Sequence, residues 1–250
     1  MAFPLTVHLG YGQEKVETSD QKQKLGTRAV LPDGRVFYYA ENSGAAITTA
    51  GQLVDGIAAV GAHDGDLATA ALAAGSLTVT TTTSLTVTKD QYKDGYLFIN
   101  DNAAQGEVYR VKSNTAVASA AGCEITIDES DGIRTAFTTS TQFGLMYPPY
   151  KDIKLMDNDG TMTTGPLGVT TIAVTADYFC WIQTAGPAAV LSGAATFVVG
   201  DAVGISKADE NGAIDLWDAS TEEDSRPIGT SMGVVSVDTE YGWVMLAIRD

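Results

Sequence analysis

The chain has 250 residues, 44% of them apolar, and a formal net charge of −16. That apolar share supports a buried core and excludes a chain disordered throughout, while the acidity opposes approach to phosphate backbones, so no nucleic-acid partner is expected. The charge is uneven: residues 1–50 carry five Lys and Arg against five Asp and Glu, whereas residues 201–250 carry three against eleven, a balance of −8.

Residues 1–24 read as a mobile arm, because Gln13 to Lys24 offers only Val16 as a strong apolar anchor. On that reading trypsin cuts first at Lys15, Lys22 or Lys24. The opening Met-Ala-Phe-Pro-Leu-Thr-Val-His lacks the basic and long apolar regions of a signal peptide. Leu25 to Leu31 and Arg35 to Ala40 flank Pro32-Asp33-Gly34, a three-residue hairpin loop in which Pro presets the first corner and Gly takes the left-handed one.

Leu67 to Ala74 is the one stretch with helical composition, and it is short. Leu77 to Thr88 alternates strictly. Leu77, Val79, Thr81, Thr83, Leu85 and Val87 oppose a row of hydroxyls, which predicts β structure with one dry face. Tyr96–Ile99 and Val108–Val111 read as a strand pair, and Cys123, Ile125 and Ile127 as alternate positions of a half-buried strand. Tyr147-Pro-Pro-Tyr150 interrupts any ladder and marks a boundary. Beyond it, strands are predicted at about Val169–Thr175, Tyr178–Gln183, Ala189–Leu191, Ala202–Ser206, Ala213–Trp217, Gly233–Val237 and Gly242–Ile248. The uncharged run Tyr178–Gly200 is long enough for a bilayer, but Gly186-Pro187 and Ser192-Gly193 divide it into strand, turn and strand, so no membrane span is expected. The closing run, Trp243 to Ile248, is apolar on both faces, as in a central strand or a subunit interface.

Chemistry-bearing residues are sparse. His8 and His63 have no partner residues at useful spacing, and Cys123 and Cys180 read as small buried hydrophobes in a protein made in a reducing cytoplasm. Asp157-x-Asp159-Gly160 and Asp209-x-Asn211-Gly212 echo a calcium loop, but Leu155 and Lys207 stand where the first carboxylate belongs. Both read as turns, and a chelator is expected to leave the melting temperature unchanged. His63 beside Asp64 and Asp66 reads as a solvated turn. Tyr38, Tyr39, Trp181, Trp217 and Trp243 could form a sugar platform, although such aromatics more often build core or interface. No catalytic residue, metal site or cofactor is expected, and the chain is not read as an enzyme.

The phrases Tyr92-Lys-Asp-Gly-Tyr-Leu-Phe-Ile-Asn-Asp, Gly106-Glu-Val-Tyr-Arg-Val-Lys-Ser-Asn, Phe179-Cys-Trp-Ile-Gln-Thr-Ala-Gly-Pro, Gly200-Asp-Ala-Val, Pro227-Ile-Gly-Thr and Tyr241-Gly-Trp-Val-Met-Leu resemble structural proteins of tailed bacteriophages, especially marine ones. The C-terminal half is similar to small β-barrel head-decoration proteins. The resemblance covers residues 90 to 250 and implies a virion component on the capsid surface, often trimeric, cementing major capsid subunits without cofactor or catalysis.

The resulting expectation is an all-β protein: an N-terminal arm and hairpin over 1–50, a middle β-sandwich or barrel over 51–150, and a small C-terminal β-barrel over 151–250. Its function would be capsid decoration, with recognition of a host glycan by a tail or fibre module as the alternative. The neutral N-terminal region would contact the capsid through Phe3, Leu5, Val7, Val16, Leu25, Arg28, Arg35, Phe37, Tyr38 and Tyr39, and the trimer would form through Trp243, Met245, Leu246 and Ile248.

Overall fold

Short runs of β-branched and aromatic residues between Gly, Asn and Asp turns pair into sheet throughout the described residues, so the all-β expectation holds. The computed structural model describes residues 6–158, 162–193, 196–206, 210–218, 226–234, 237 and 239–250. The strands in chain order are β1 (Thr6–His8), β2 (Arg28–Val30), β3 (Val36–Glu41) and β4 (Leu53–Asp55). Then come β5 (Leu67–Ala68), β6 (Thr78–Thr80), β7 (Leu85–Val87), β8 (Tyr96–Asp101), β9 (Val108–Asn114), β10 (Val117–Ala120), β11 (Glu124–Ile127) and β12 (Gln142–Met146). The series closes with β13 (Lys154–Leu155), β14 (Gly168–Thr170), β15 (Phe179–Leu191), β16 (Ala202–Ile205), β17 (Ile214–Leu216), β18 (Gly229–Ser231) and β19 (Tyr241–Ala247).

The three consecutive regions expected from the sequence give way to two compact units. One comprises residues 1–57 together with 149–250, and the other 58–148. The chain leaves the first unit after β4 and re-enters it within the Tyr-Pro-Pro-Tyr run. Gly56 lies against the Pro149 carbonyl, so the outgoing and returning segments start side by side.

In the first unit one sheet runs β1-β2-β3-β15-β19-β18-β16-β17, with β14 on β15 and β4 joining β13 to β14. Its centre is β15, whose first half pairs with β3 and second half with β19. Gly186-Pro187 was expected to turn the chain, yet β15 is continuous through it. Gly186 adopts φ 88° against Arg35, just after a register irregularity between Gln183 and Ala185. Past that point β3 has ended. Leu191, four residues beyond Pro187, gives its N–H to Gly51 rather than to β19, so the missing Pro187 donor faces the same side, away from the β19 ladder.

The predicted hairpin is present. β2 and β3 pair through Arg28–Tyr38, Ala29–Phe37 and Val30–Val36, and the Leu31 carbonyl accepts the Gly34 N–H. The described part of the expected arm, residues 6–24, is instead tied to the sheet. Thr18 bridges to Phe179, Lys22 gives its backbone N–H to Tyr39 Oη at 3.0 Å, and Glu17 accepts both the N–H and the hydroxyl of Thr175. Glu14 is buried, and its carbonyl accepts the Thr171 hydroxyl. Polar anchors therefore fix residues 13–24, which a search for apolar anchors overlooks.

In the second unit a six-stranded sheet runs β5-β12-β8-β9-β11-β6, beside a small β7–β10 pair. Its core gathers Val79, Leu85, Val87, Tyr92, Leu97, Ile99, Val111, Cys123, Ile125 and Phe143, the dry positions of the alternating segments. The stretch Leu67 to Ala74 is not helical. It supplies β5 and isolated bridges from Thr69 to Thr81 and from Leu72 to Phe137. Eight residues are too few to hold a helix without packing, and the period-two burial of Leu67 and Thr69 wins.

Candidate functional site

The site is built on β19. Its alternation places Val244 and Leu246 in the core at 0% and 2% exposure, while Tyr241, Trp243 and Met245 point outwards at 45%, 49% and 40%. Both edges of β19 are hydrogen-bonded, to β15 on one side and β18 on the other. Nothing can therefore add to it as a strand, and its outer side chains can be covered only by a surface laid on the face. Across the ladder the outward neighbours are Pro187 and Ala189 on β15 and Thr230 on β18. Exposed Met232 gives its N–H to the Trp243 carbonyl, and exposed Val234 follows it. None of these residues is charged. Their side chains present on the order of 500 Å² of apolar surface, at the upper end for a monomer's largest patch.

One margin of this face falls into a groove of about 580 Å³ lined by Asp33, Arg35, Thr49–Gly51, Thr170, Thr171, Tyr241 and Trp243, among others. The Tyr241 ring lies on Gly51, where a Cβ would stand 2.6 Å from a ring carbon, and its hydroxyl donates to the Ala50 carbonyl at 3.0 Å. Arg35 Nε donates to Asp33 Oδ2 at 2.9 Å, and its Nη2 lies 3.9 Å from Glu14. Partial burial works to raise the Asp33 carboxyl, but hydrogen bonds from the Arg35 backbone and guanidinium outweigh it and hold the group below the usual carboxylate value.

The other perturbed groups sit in packing positions. His63 Nδ1 and Tyr92 Oη are 2.6 Å apart inside the second unit; burial holds the imidazole below its ordinary value and pushes the phenol up. Burial and the Glu107 carboxylate push Tyr109 up to about 12. Cys123 and Cys180 are both buried free thiols, and burial raises Cys180 to about 12, so neither is an activated nucleophile. Among the described residues no group of three or more His, Cys, Asp or Glu could hold a metal. Of the two calcium-loop echoes, Asp159, Gly160 and Asp209 lie outside the described residues. Asn211 accepts the Asn158 N–H at 3.0 Å, so the two segments brace each other.

The sequence-predicted contact residues separate sharply. Phe3 and Leu5 lie outside the described residues. Val16 is exposed, Val7 and Arg28 are half-buried, and Arg35 lines the groove. Leu25, Phe37, Tyr38 and Tyr39 are core and cannot contact a partner. Central β3 is covered on both faces, so its consecutive tyrosines are both buried. Tyr38 stacks on Tyr150 at 5.0 Å, and Tyr39 packs edge-on to Trp181 at 4.9 Å. Of the predicted interface set, Trp243 and Met245 are at the surface, Leu246 is core, and Ile248 packs partly against that core. Gly51, Asp33 and Tyr241 were not expected as site residues from the sequence, because only the pairing of β15 with both β3 and β19 brings them together. Comparison with protein-family models, curated proteins and solved structures gave no match.

Proposed function

We propose that this protein is a structural virion component, a capsid decoration protein that assembles with copies of itself and clamps neighbouring major capsid subunits. The observation that carries the reading is the uncharged, apolar outer face of β19 on a chain of net charge −16. Copies this acidic repel one another at most orientations, and a face without carboxylates is where they can meet at low electrostatic cost. Trp and Met are residues that interfaces favour, and burying each such side chain contributes about 1.5–3 kcal/mol. A stable contact needs about 800 Å² per partner, so in the proposed homotrimer this patch would form the apolar centre and a polar rim would supply the remaining area.

The charge-neutral N-terminal region is the proposed capsid contact, now through exposed Val16 and half-buried Val7 and Arg28, with Phe3 and Leu5 preceding them in the sequence. Each contact is weak, but repetition over a closed shell multiplies their effect. The resemblance of the Tyr92–Asp101, Phe179–Pro187 and Tyr241–Leu246 phrases to phage structural proteins supports the same reading, with synthesis in the host cytoplasm and residence on the virion. Removing residues 1–24 would also strip β1 and uncover Trp181, so Val16→Asp is the cleaner probe of the capsid contact. Co-sedimentation with undecorated particles tests it. Wild type is expected to saturate the particles and Val16→Asp to bind more weakly, and no binding by the intact protein sinks the proposal.

A further inference from the structure

The geometry points to a binding groove for a neutral saccharide beside the assembly face, lined by Tyr241 and Trp243 together with Asp33 and Arg35. Its volume of about 580 Å³ suits a small-molecule ligand, and it combines an apolar wall with a few polar groups, as such sites do. Tyr241 and Trp243 are two residues apart on β19, so both rings emerge on one face, each about half exposed. Aromatic ring faces carry partial negative charge, and the C–H faces of a pyranose are complementary to them. Of the three tryptophans, Trp181 is buried and Trp217 half-buried; only Trp243 can offer its ring in this way.

The lining also supplies adjacent donors and acceptors. The Arg35 guanidinium has five N–H groups in a fixed fork, with Nε committed to Asp33. Asp33 offers carboxylate oxygens beside it, and Thr49 lines the same groove. Vicinal sugar hydroxyls, each both donor and acceptor, fit such a lining. The groove is preorganised. The Tyr241 ring is seated on Gly51 and tied to the Ala50 carbonyl, and the Arg35 head is held by Asp33, so little ordering remains for binding to impose. Because Asp33 and Glu14 both flank Arg35, the lining there carries no excess positive charge, and on a chain of −16 a neutral sugar is favoured over an anionic one.

Trp243 stands where groove and assembly face meet, whereas Met245 is outside the groove lining. Met245 therefore probes assembly without touching the groove lining. The probes are maltotriose, cellotriose and triacetylchitotriose, with sialyllactose as the anionic comparison, titrated while following tryptophan emission and saturation-transfer NMR. At least one neutral trisaccharide is expected to saturate with a Kd on the order of 0.1–1 mM. Trp243→Ala should weaken it by about tenfold or more, and Met245→Glu, which tests assembly by light scattering, should leave it unchanged. Absence of saturable binding by all three neutral probes up to about 10 mM, unaltered binding in Trp243→Ala, or tighter binding of sialyllactose than of any neutral probe each overturns the saccharide groove. Failure of self-association alone would leave the groove standing.

Discussion

Strands β3 and β19 are both central in the same sheet, and both carry consecutive apolar residues, yet they end differently. Phe37 and Tyr39 of β3 pack into one core cluster while Val36, Tyr38 and Ala40 pack into another, so the strand is buried on both sides. In β19 only Val244 and Leu246 find a core, and Tyr241, Trp243 and Met245 are left facing outwards. A two-sided apolar pattern thus fixes a central position in a sheet. It does not say whether the second face is covered by the same chain or left for another molecule.

The contrast can be broken most severely at Phe37. Phe37→Ala should cost about 3–5 kcal/mol, because a fully buried ring leaves a cavity, whereas Trp243→Ala should cost the isolated chain much less. Denaturant unfolding of both variants measures this, and equal losses would show that the outer face of β19 is structural. The next largest effect is on assembly. Met245→Glu places a carboxylate on the uncharged face and should shift the protein to monomer in light scattering, with its circular dichroism unchanged. An unchanged oligomer would move the interface elsewhere.

Acidification sharpens the comparison from the second unit. Burial depresses His63, so the folded state binds fewer protons than the unfolded chain once pH falls below the ordinary value of 6.5. Stability from this group is complete above that pH and is lost as pH drops towards the folded value. His63→Gln should flatten that slope in melting curves recorded between neutral and mildly acidic pH, and an unaltered slope would remove His63 as its source. The smallest effect is expected at the pinned N-terminal segment. Glu17→Ala removes the acceptor of the Thr175 N–H and hydroxyl, costing about 0.5–1.5 kcal/mol. Trypsin cleavage at Lys15 or Lys22 should then accelerate; unchanged cleavage would show that other contacts hold the segment.

Local information was legible from the chain alone. The period-two alternation of Leu77–Thr88 and Cys123–Ile127 placed Val79, Leu85, Val87, Ile125 and Ile127 in a core, and Pro32-Asp33-Gly34 placed the hairpin. These features depend on neighbours two to four residues apart, where pleat and turn chemistry act. The aromatic and methionine stripe of β19 was visible as well, since strict alternation of a long apolar run must send half of it to each face. Tertiary structure decided the rest. Thr18 meets Phe179, Leu53 gives its N–H to Gly212, and β3 pairs with β15 more than a hundred residues away. Those contacts turned the expected arm into part of the sheet, buried Tyr38 and Tyr39 rather than exposing them, joined the two ends of the chain into one unit, and set Tyr241 on Gly51 to wall the groove. No local periodicity encodes them, because each arises from the packing of segments that are neighbours only in the folded chain.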